Sequence, residues 1–390
     1  MIAAKLKPTP WQLALGVQFT TVTAPLMLLP FLSLHLQRLL GAGATETAFW
    51  AAASAAAPAI SAILATPVWG RLASSFTLGR LMAVSCLLNA LSALLQAQAG
   101  TVEVFAFGRS IQGATGIGVL LLLAIDHSKT TAGKGYAGLQ QALAAGCIAG
   151  PLLGGWAYDH DALRGLLTGF ALVLAFLGIV CGYVYRNAGP VKDEEPDTGV
   201  VGALPPTPNH ILILSGLLAS AGAFGFMPFF AGWALEQESS VLTASLIGLL
   251  HAGSWFAAIV ALPLWGRWID AGGERAAMRL STAGSVAALL SLFAGSTVAS
   301  ISLARIVHGV FSSGFAPSLF STLGRSRYRV ANLAAGRIAT TLGQVIGPAV
   351  CGLAVFVGGN NGALLAAALL TLLASILLYL QPEVRTDDRE

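Results

Sequence analysis

Twelve stretches of twenty or more mostly apolar residues follow one another along this chain. They run roughly over 11–36, 45–71, 79–99, 102–126, 134–158, 163–186, 210–236, 241–268, 277–298, 300–323, 333–357 and 361–381. A helix needs about 20 such residues to cross a bilayer. In hydrocarbon the backbone must satisfy its own polar groups, so a series of such stretches folds as helices. Only 10% of the 390 residues are charged, against about a quarter in soluble domains. Such a chain cannot solvate a globular surface, and lipid is its expected surround. The 45 glycines suit close helix packing in a bilayer. The expected fold is an all-α membrane protein of twelve transmembrane helices in two bundles of six. The first apolar run is long and lacks a small-residue cleavage site, so no cleaved leader is expected. Cys86, Cys147, Cys181 and Cys351 all lie in apolar runs and read as small packing residues.

The chain is also duplicated. Gly146-Cys147-Ile148-Ala149-Gly150-Pro151-Leu152-Leu153-Gly154-Gly155 sits in the fifth span, with glycines that strip side chains from a helix face. Gly343, Gly347, Pro348 and Gly352 repeat its pattern in the eleventh span at an offset of 197. Three further matches agree within two residues: Pro67–Arg71 with Pro263–Arg267, Arg109–Gly113 with Arg305–Gly309, and Pro30-Phe31 with Pro228-Phe229. Between the copies, Asn187–Asn209 carries a charge run and then Pro205, Pro206 and Pro208, and reads as a polar linker. The expected domains are a first bundle over 1–186, a linker over 187–209 and a second bundle over 210–390. Six helices per unit give parallel repeats about an axis along the membrane normal.

Basic residues set orientation. With the N-terminus inside, the outer segments hold only Arg38 and Arg164, while Arg109 and Arg305 lie within spans. The other 17 of the 21 basic residues fall on inner segments. Both termini and the linker are therefore expected on the cytoplasmic side.

With these motifs the chain resembles the major facilitator superfamily, and most of all its twelve-helix drug:proton antiporter branch. The loop after the second span begins Gly70-Arg71-Leu72-Ala73, with Ser74 where that family places an Asp; its second copy, Gly266 to Arg275, keeps Asp270. Arg109, Gln112 and Gly113 match the fourth-helix motif. Gly146, Gly150, Pro151, Gly154 and Gly155 match the fifth-helix antiporter motif in full. The resemblance implies the major facilitator fold in a cell inner membrane, crossed many times. It implies proton-coupled efflux of a small organic solute by alternating access, and a monomer. It also implies a cytoplasmic gate at the loops bearing Gly70, Arg71, Asp270 and Arg275, joined by Asp126.

Arg109 and Arg305 are the sharpest candidates for function. A charge inside a bilayer is expensive and by default functional. Related by the repeat, they are expected to face each other across the central space; the plainer reading has each holding backbone carbonyls. Gln112, His308, His251, Gln18 and Thr21 join them as candidates for solute binding or proton relay. His308 follows Arg305 by three residues, nearly on one helix face, and histidine titrates near neutrality. His35 reads as a packing residue, and Glu103 as an outer protonatable group or a solvated helix start. Trp69 and Trp265 read as members of the aromatic belt at the inner boundary. Phe19, Phe31, Phe226, Phe229, Phe230, Trp233, Trp255, Phe311 and Phe315 are candidates to line an apolar cavity, with packing or lipid contact more common for any single one.

The first span holds Gln18, Thr20, Thr21 and Thr23 but no carboxylate. Two central guanidiniums without a central acid favour an anion, which arginine binds bidentately. An anionic or zwitterionic metabolite such as a carboxylate siderophore fits that charge. A multidrug exporter of lipophilic compounds and a solute importer stay open, as does a non-transporting membrane receptor from another class. No phosphate-binding Gly-Lys-Ser/Thr loop is present, no His/Cys/Glu cluster has metal-ligand spacing, and no catalytic constellation appears. Hence no enzyme, metal or cofactor is expected. A net charge of +4 spread over short loops excludes a nucleic-acid partner.

Overall fold

A computed structural model describes residues 9–41, 43–127, 132–190, 210–237, 242–295, 297–325 and 329–381. Among them the only regular secondary structure is helical. The helix α1 (Pro10–Leu28) starts with a capping box: Thr9 Oγ1 accepts from Gln12 N, and Gln12 Oε1 accepts from Thr9 N. A 3-10 turn at Leu29–Phe31, set by Pro30, separates it from α2 (Leu32–Leu40). Gly41, left-handed at φ 59°, closes α2. Then come α3 (Ala44–Ser75), α4 (Leu78–Gln98), α5 (Val102–Ala114), α6 (Ile117–His127), α7 (Ala132–Asp159) and α8 (Leu163–Val184).

After the linker come α9 (His210–Gly225), a 3-10 turn at Met227–Phe229, and α10 (Phe230–Gln237). They are followed by α11 (Ala244–Asp270), α12 (Glu274–Ala294), α13 (Val298–Gly324) and α14 (Arg329–Leu380). Ten helical segments among the described residues are long and apolar enough to cross a membrane. One of them, within α14, breaks at Gly358–Gly359, where Gly359 sits at φ 60°. That break falls between the eleventh and twelfth expected spans. The 28-residue α7 stands outside those ten.

Three expected spans are broken where continuous helices were expected. Pro30 and Pro228 interrupt the first and seventh, and Gly116, at φ 64°, divides the fourth into α5 and α6. Leu172, Phe176 and Ile179 stand 65–67% exposed along one stripe of α8, at i, i+4 and i+7 spacing. Such a stripe is unfavourable in water and suited to lipid. The four cysteines are buried and unbridged.

The chain divides into two compact units: Met1–Gly199 with Pro228–Trp255, and Val200–Met227 with Phe256–Glu390. In the first, α1 packs on α7, α3 on α5, and α4 on α8; in the second, α9 packs on α14, and α12 on α13 and α14. The boundary cuts α11 after Trp255, because its first turns lie on α7. Gly155 meets the Ala244 carbonyl, and Gly248 meets Pro151. Most of the expected linker, 191–209, lies outside the described residues.

Inside each unit the duplication recurs atom for atom. Trp69 Nε1 donates to Ala114 O at 2.7 Å, and Trp265 Nε1 donates to Val310 O at 2.8 Å, each across 45 residues. Thr101 caps α5 and Thr297 caps α13, also 196 residues apart. These tryptophans are 5% and 6% exposed, which corrects their reading as an interfacial belt. An indole N–H in hydrocarbon needs an acceptor, and a carbonyl of the neighbouring helix supplies it in each case, Ala114 O and Val310 O.

Candidate functional site

The glycine motif of α7 is a packing device with two faces. A Cβ at Gly146, Gly150 or Gly154 would collide with Val22, with Leu26 and Thr23, or with the Met27 carbonyl, all on α1. Gly155 faces α11 instead. In the second copy, Gly343 and Gly347 meet Leu217 and Ala221 of α9 in the same manner. Pro151 and Pro348 both lie inside their helices. One turn beyond the motif, Asp159 caps α11. Its Oδ1 accepts from Ala244 N at 2.9 Å and its Oδ2 from Ser245 N at 2.8 Å. Partial burial raises the Asp159 pKa, but those hydrogen bonds and nearby His160 outweigh it and hold the carboxyl below its usual value.

In the first unit, Arg109 is 4% exposed on α5. Its Nε donates to Ser54 O of α3 at 3.1 Å, and its Nη1 to Gln112 Oε1 at 2.8 Å. The helices approach closely there because Gly113 lies on the Pro58 carbonyl. Gln112 and Thr21 line one cleft with Asn89, Ser92 and Gln96 of α4. The cleft measures about 10 Å³, room for a single water. Thr21 Oγ1 donates back to Val17 O at 2.8 Å, and Thr20 and Thr23 do likewise, so the polar stretch of α1 is largely self-satisfied. Gln18 is half-buried on the same helix. His251 is fully buried in this unit, its ring 6.0 Å from that of Phe230.

Ser85, Asn89, Ser92 and Gln96 were not singled out from the sequence. Their signal was available: polar residues at i, i+4, i+7 and i+11 on an otherwise apolar span form one helix face. All four are buried. Asn89 Nδ2 donates to Ser85 O at 3.1 Å, Ser92 Oγ to Gly108 O at 2.8 Å, and Gln96 Nε2 to Ser92 Oγ at 2.9 Å.

In the second unit, Arg305 and His308 are buried on α13, 6% and 7% exposed. His308 lines a cavity of about 120 Å³ with Ser220, Thr282, Ser285, Ser312 and Thr371. Its Nδ1 has no partner among the described residues. Phe315 is the one of the nine candidate aromatics on this wall. Phe31, Phe226, Phe229, Phe230 and Trp233 are at most 2% exposed, which marks helix packing. Neither this cavity nor the cleft beside Arg109 has an acidic residue on its described wall.

At the expected gate, Gly70 and Arg71 are exposed at the end of α3, and a Cβ at Gly70 meets open space. Asp270 is exposed at the end of α11, and Arg275 is half-buried in the first turn of α12. Glu274, not singled out from the sequence, makes a charge contact at this loop. Its Oε1 pairs with Arg325 Nη2 at 2.5 Å, tying the start of α12 to the end of α13. The side chain of Asp126 lies outside the described residues. Glu103 is exposed in the first turn of α5, a solvated helix start.

Comparison with known proteins agrees with this geometry. The family model of the Major Facilitator Superfamily matches residues 14–236 and 212–390. The chain is 24% identical over 345 residues to the staphyloferrin B transporter of Staphylococcus aureus, covering 85% of this chain and 82% of that protein. It is 25% identical to the multidrug resistance protein MdtG of Salmonella choleraesuis, covering 85% and 84%. Among solved structures, the human organic anion transporter MFSD10 superposes with a TM-score of 0.64 at 18% identity, over 94% of this chain and 98% of that one. The nucleoside transporter NupG superposes with a TM-score of 0.72 at 13% identity, over 95% and 97%. Multiple membrane-spanning helices, a motif-bearing duplication and a family match to both halves lead to one conclusion: this chain belongs to the Major Facilitator Superfamily of membrane transporters.

Proposed function

We propose that this transporter exports a small organic anion or zwitterion in exchange for protons. The halves over 1–186 and 210–390, twelve helices in all, rock about a central site and expose it alternately. Both termini lie in the cytoplasm, and a single chain does the work in the inner membrane. The observation that carries the reading is the pair of buried arginines, Arg109 and Arg305, at equivalent positions of the repeat beside walls that hold no carboxylate. The printed acceptors of Arg109, Ser54 O and Gln112 Oε1, are both neutral, and a buried guanidinium held by neutral groups favours an anion. Arg109 and Gln112 bind the solute in the first half, and Arg305 and the hydroxyl-lined chamber in the second. His308 carries the proton, with His251 as a second relay. The antiporter glycines keep α7 against its neighbours while the gate around Asp270, Arg275, Glu274 and Arg325 opens and closes. Two names fit a small organic cargo: the staphyloferrin B transporter and, by fold alone, the organic anion transporter MFSD10.

A second reading, export of lipophilic drugs, draws on the MdtG relatives. Inside-out membrane vesicles with an acid interior separate the two. Small polycarboxylates added outside are expected to dissipate the pH gradient, and Arg109→Gln is expected to abolish that response. Dissipation by lipophilic cations alone overturns the anion reading and favours the second.

A further inference from the structure

The far end of the first bundle holds a second polar cavity that the central site does not use. It measures about 230 Å³ and lies among the ends of α2, α4, α7 and α8. Six polar side chains line it: His35, Arg38, Gln96, Tyr158, Asp161 and Arg164. Three of them have a buried atom with no partner among the described residues: His35 Nε2, Gln96 Oε1 and Tyr158 Oη. Gln96 and Tyr158 are only 5% and 6% exposed. A buried polar atom left unpaired is costly, and three converging on one cavity are a set of contacts awaiting a ligand.

Charge fixes the ligand's sign. Arg38 and Arg164 stand at the exposed rim, against one carboxylate, Asp161. The Arg38–Asp161 pair is 3.8 Å apart with side chains 63% and 94% exposed, so it is solvated and weak. Arg38 is held over the Tyr158 ring, 4.4 Å from its centroid, and Arg164 donates to Gln98 Oε1. The adjoining cavity of about 340 Å³ also touches Arg38 and Tyr158, but there the Asp159 carboxylate faces the chamber. An anion therefore selects the first cavity. Leu163 and Leu167 give it an apolar side, and its volume lies below the roughly 300 Å³ at which drug-sized pockets begin.

Chemistry fixes the rest. Gln96 Nε2 is already engaged with Ser92, so Gln96 Oε1 calls for a donor on the ligand. Tyr158 Oη and His35 Nε2 can donate to it. Gln96 and Leu167 also line the cleft beside Gln112, which joins this cavity to the polar face of α4. We infer that the cavity is a binding site for a small hydroxycarboxylate, gripped at its anionic group by Arg38 and Arg164 and at its hydroxyl by Gln96. It serves as a second station for the cargo at the end of the polar face. Only the word cargo rests on the anion-export reading; the site itself stands on its own geometry.

Equilibrium binding to the full-length protein in phosphatidylcholine nanodiscs tests this, with labelled citrate and its hydroxyl-free analogue tricarballylate as probes. Citrate is expected to bind Arg109→Gln protein, with tricarballylate about tenfold weaker. Adding Arg38→Gln and Arg164→Gln, both at the exposed rim, is expected to weaken citrate at least tenfold. Gln96→Leu is expected to erase the difference between the two probes. Citrate binding that survives loss of both rim arginines overturns the site, as does its absence from Arg109→Gln protein whose melting temperature still lies above the assay temperature. Competition from phosphatidylglycerol reassigns the cavity to a lipid headgroup and overturns the solute. If vesicles transport only lipophilic cations while citrate still binds here, the export reading fails and the site stands.

Discussion

Arg109 and Arg305 occupy the same place in two copies of one ancestral unit, yet their surroundings differ. Arg109 is fastened by its Nε to Ser54 O and by its Nη1 to Gln112, beside a cleft of about 10 Å³. Four residues of the Arg305 helix, His308, Ser312, Phe315 and Ala316, line a chamber of about 120 Å³ rich in hydroxyls. Duplication preserved the scaffold that presents the charge, while the volume beside it diverged. One half holds its guanidinium as a clamp and the other gives its helix a chamber.

The largest effect expected on this contrast comes from Arg109→Met. It leaves Ser54 O and Gln112 Oε1 without their donor and costs about 3 kcal/mol, on the scale of charged hydrogen bonds. Thermal unfolding in detergent reads this directly, and an unchanged melting temperature breaks the clamp description. Trp69→Phe and Trp265→Phe test the part that did not diverge. Each removes one indole-to-carbonyl bond, with an expected loss of about 1 kcal/mol. Equal losses support the equivalence, and a large mismatch breaks it.

Asp159→Asn is expected to lower stability by about 0.5 kcal/mol, a helix cap discounted for solvent exposure. Because its carboxyl is held below the usual value, its contribution is complete above about pH 3.9. It is lost only as pH falls through the lowered value. Melting curves of variant and wild type should therefore run parallel from pH 5 to 8 and converge in strong acid. The smallest stability change belongs to His308→Leu, under about 0.5 kcal/mol, since Nδ1 has no described partner to lose. Proton-coupled transport should nevertheless disappear. Retained coupling moves the proton elsewhere and sharpens the contrast to one of shape alone.

Much of the scaffold was legible in the chain itself. The 196-residue offset placed Trp69 against Trp265 before any contact was known, and apolar run lengths located the helices within a few residues. Which carbonyl each indole meets was not legible, because the acceptor lies on another helix 45 residues away. Glycine spacing announced a bare helix face on α7, but not that Gly154 and Gly155 serve different neighbours. The Glu274–Arg325 pair was hidden by distance along the chain. The polar face of α4 was written plainly in Ser85, Asn89, Ser92 and Gln96. Charge marks the arginine, although neutral amides and hydroxyls are what line the cleft. Aromatic residues gave the least, since helices apolar on all sides carry no periodicity to separate a cavity wall from a packed core.

The cap that Asp159 places on α11 has a consequence for how the protein is made. The first turn of that helix lacks the acceptors for its own amides and borrows them from a residue synthesised 85 positions earlier. At roughly 5–20 residues per second, Asp159 precedes its partners from the ribosome by about 4–17 s. The acceptor that fixes where α11 starts is thus made before the helix it caps.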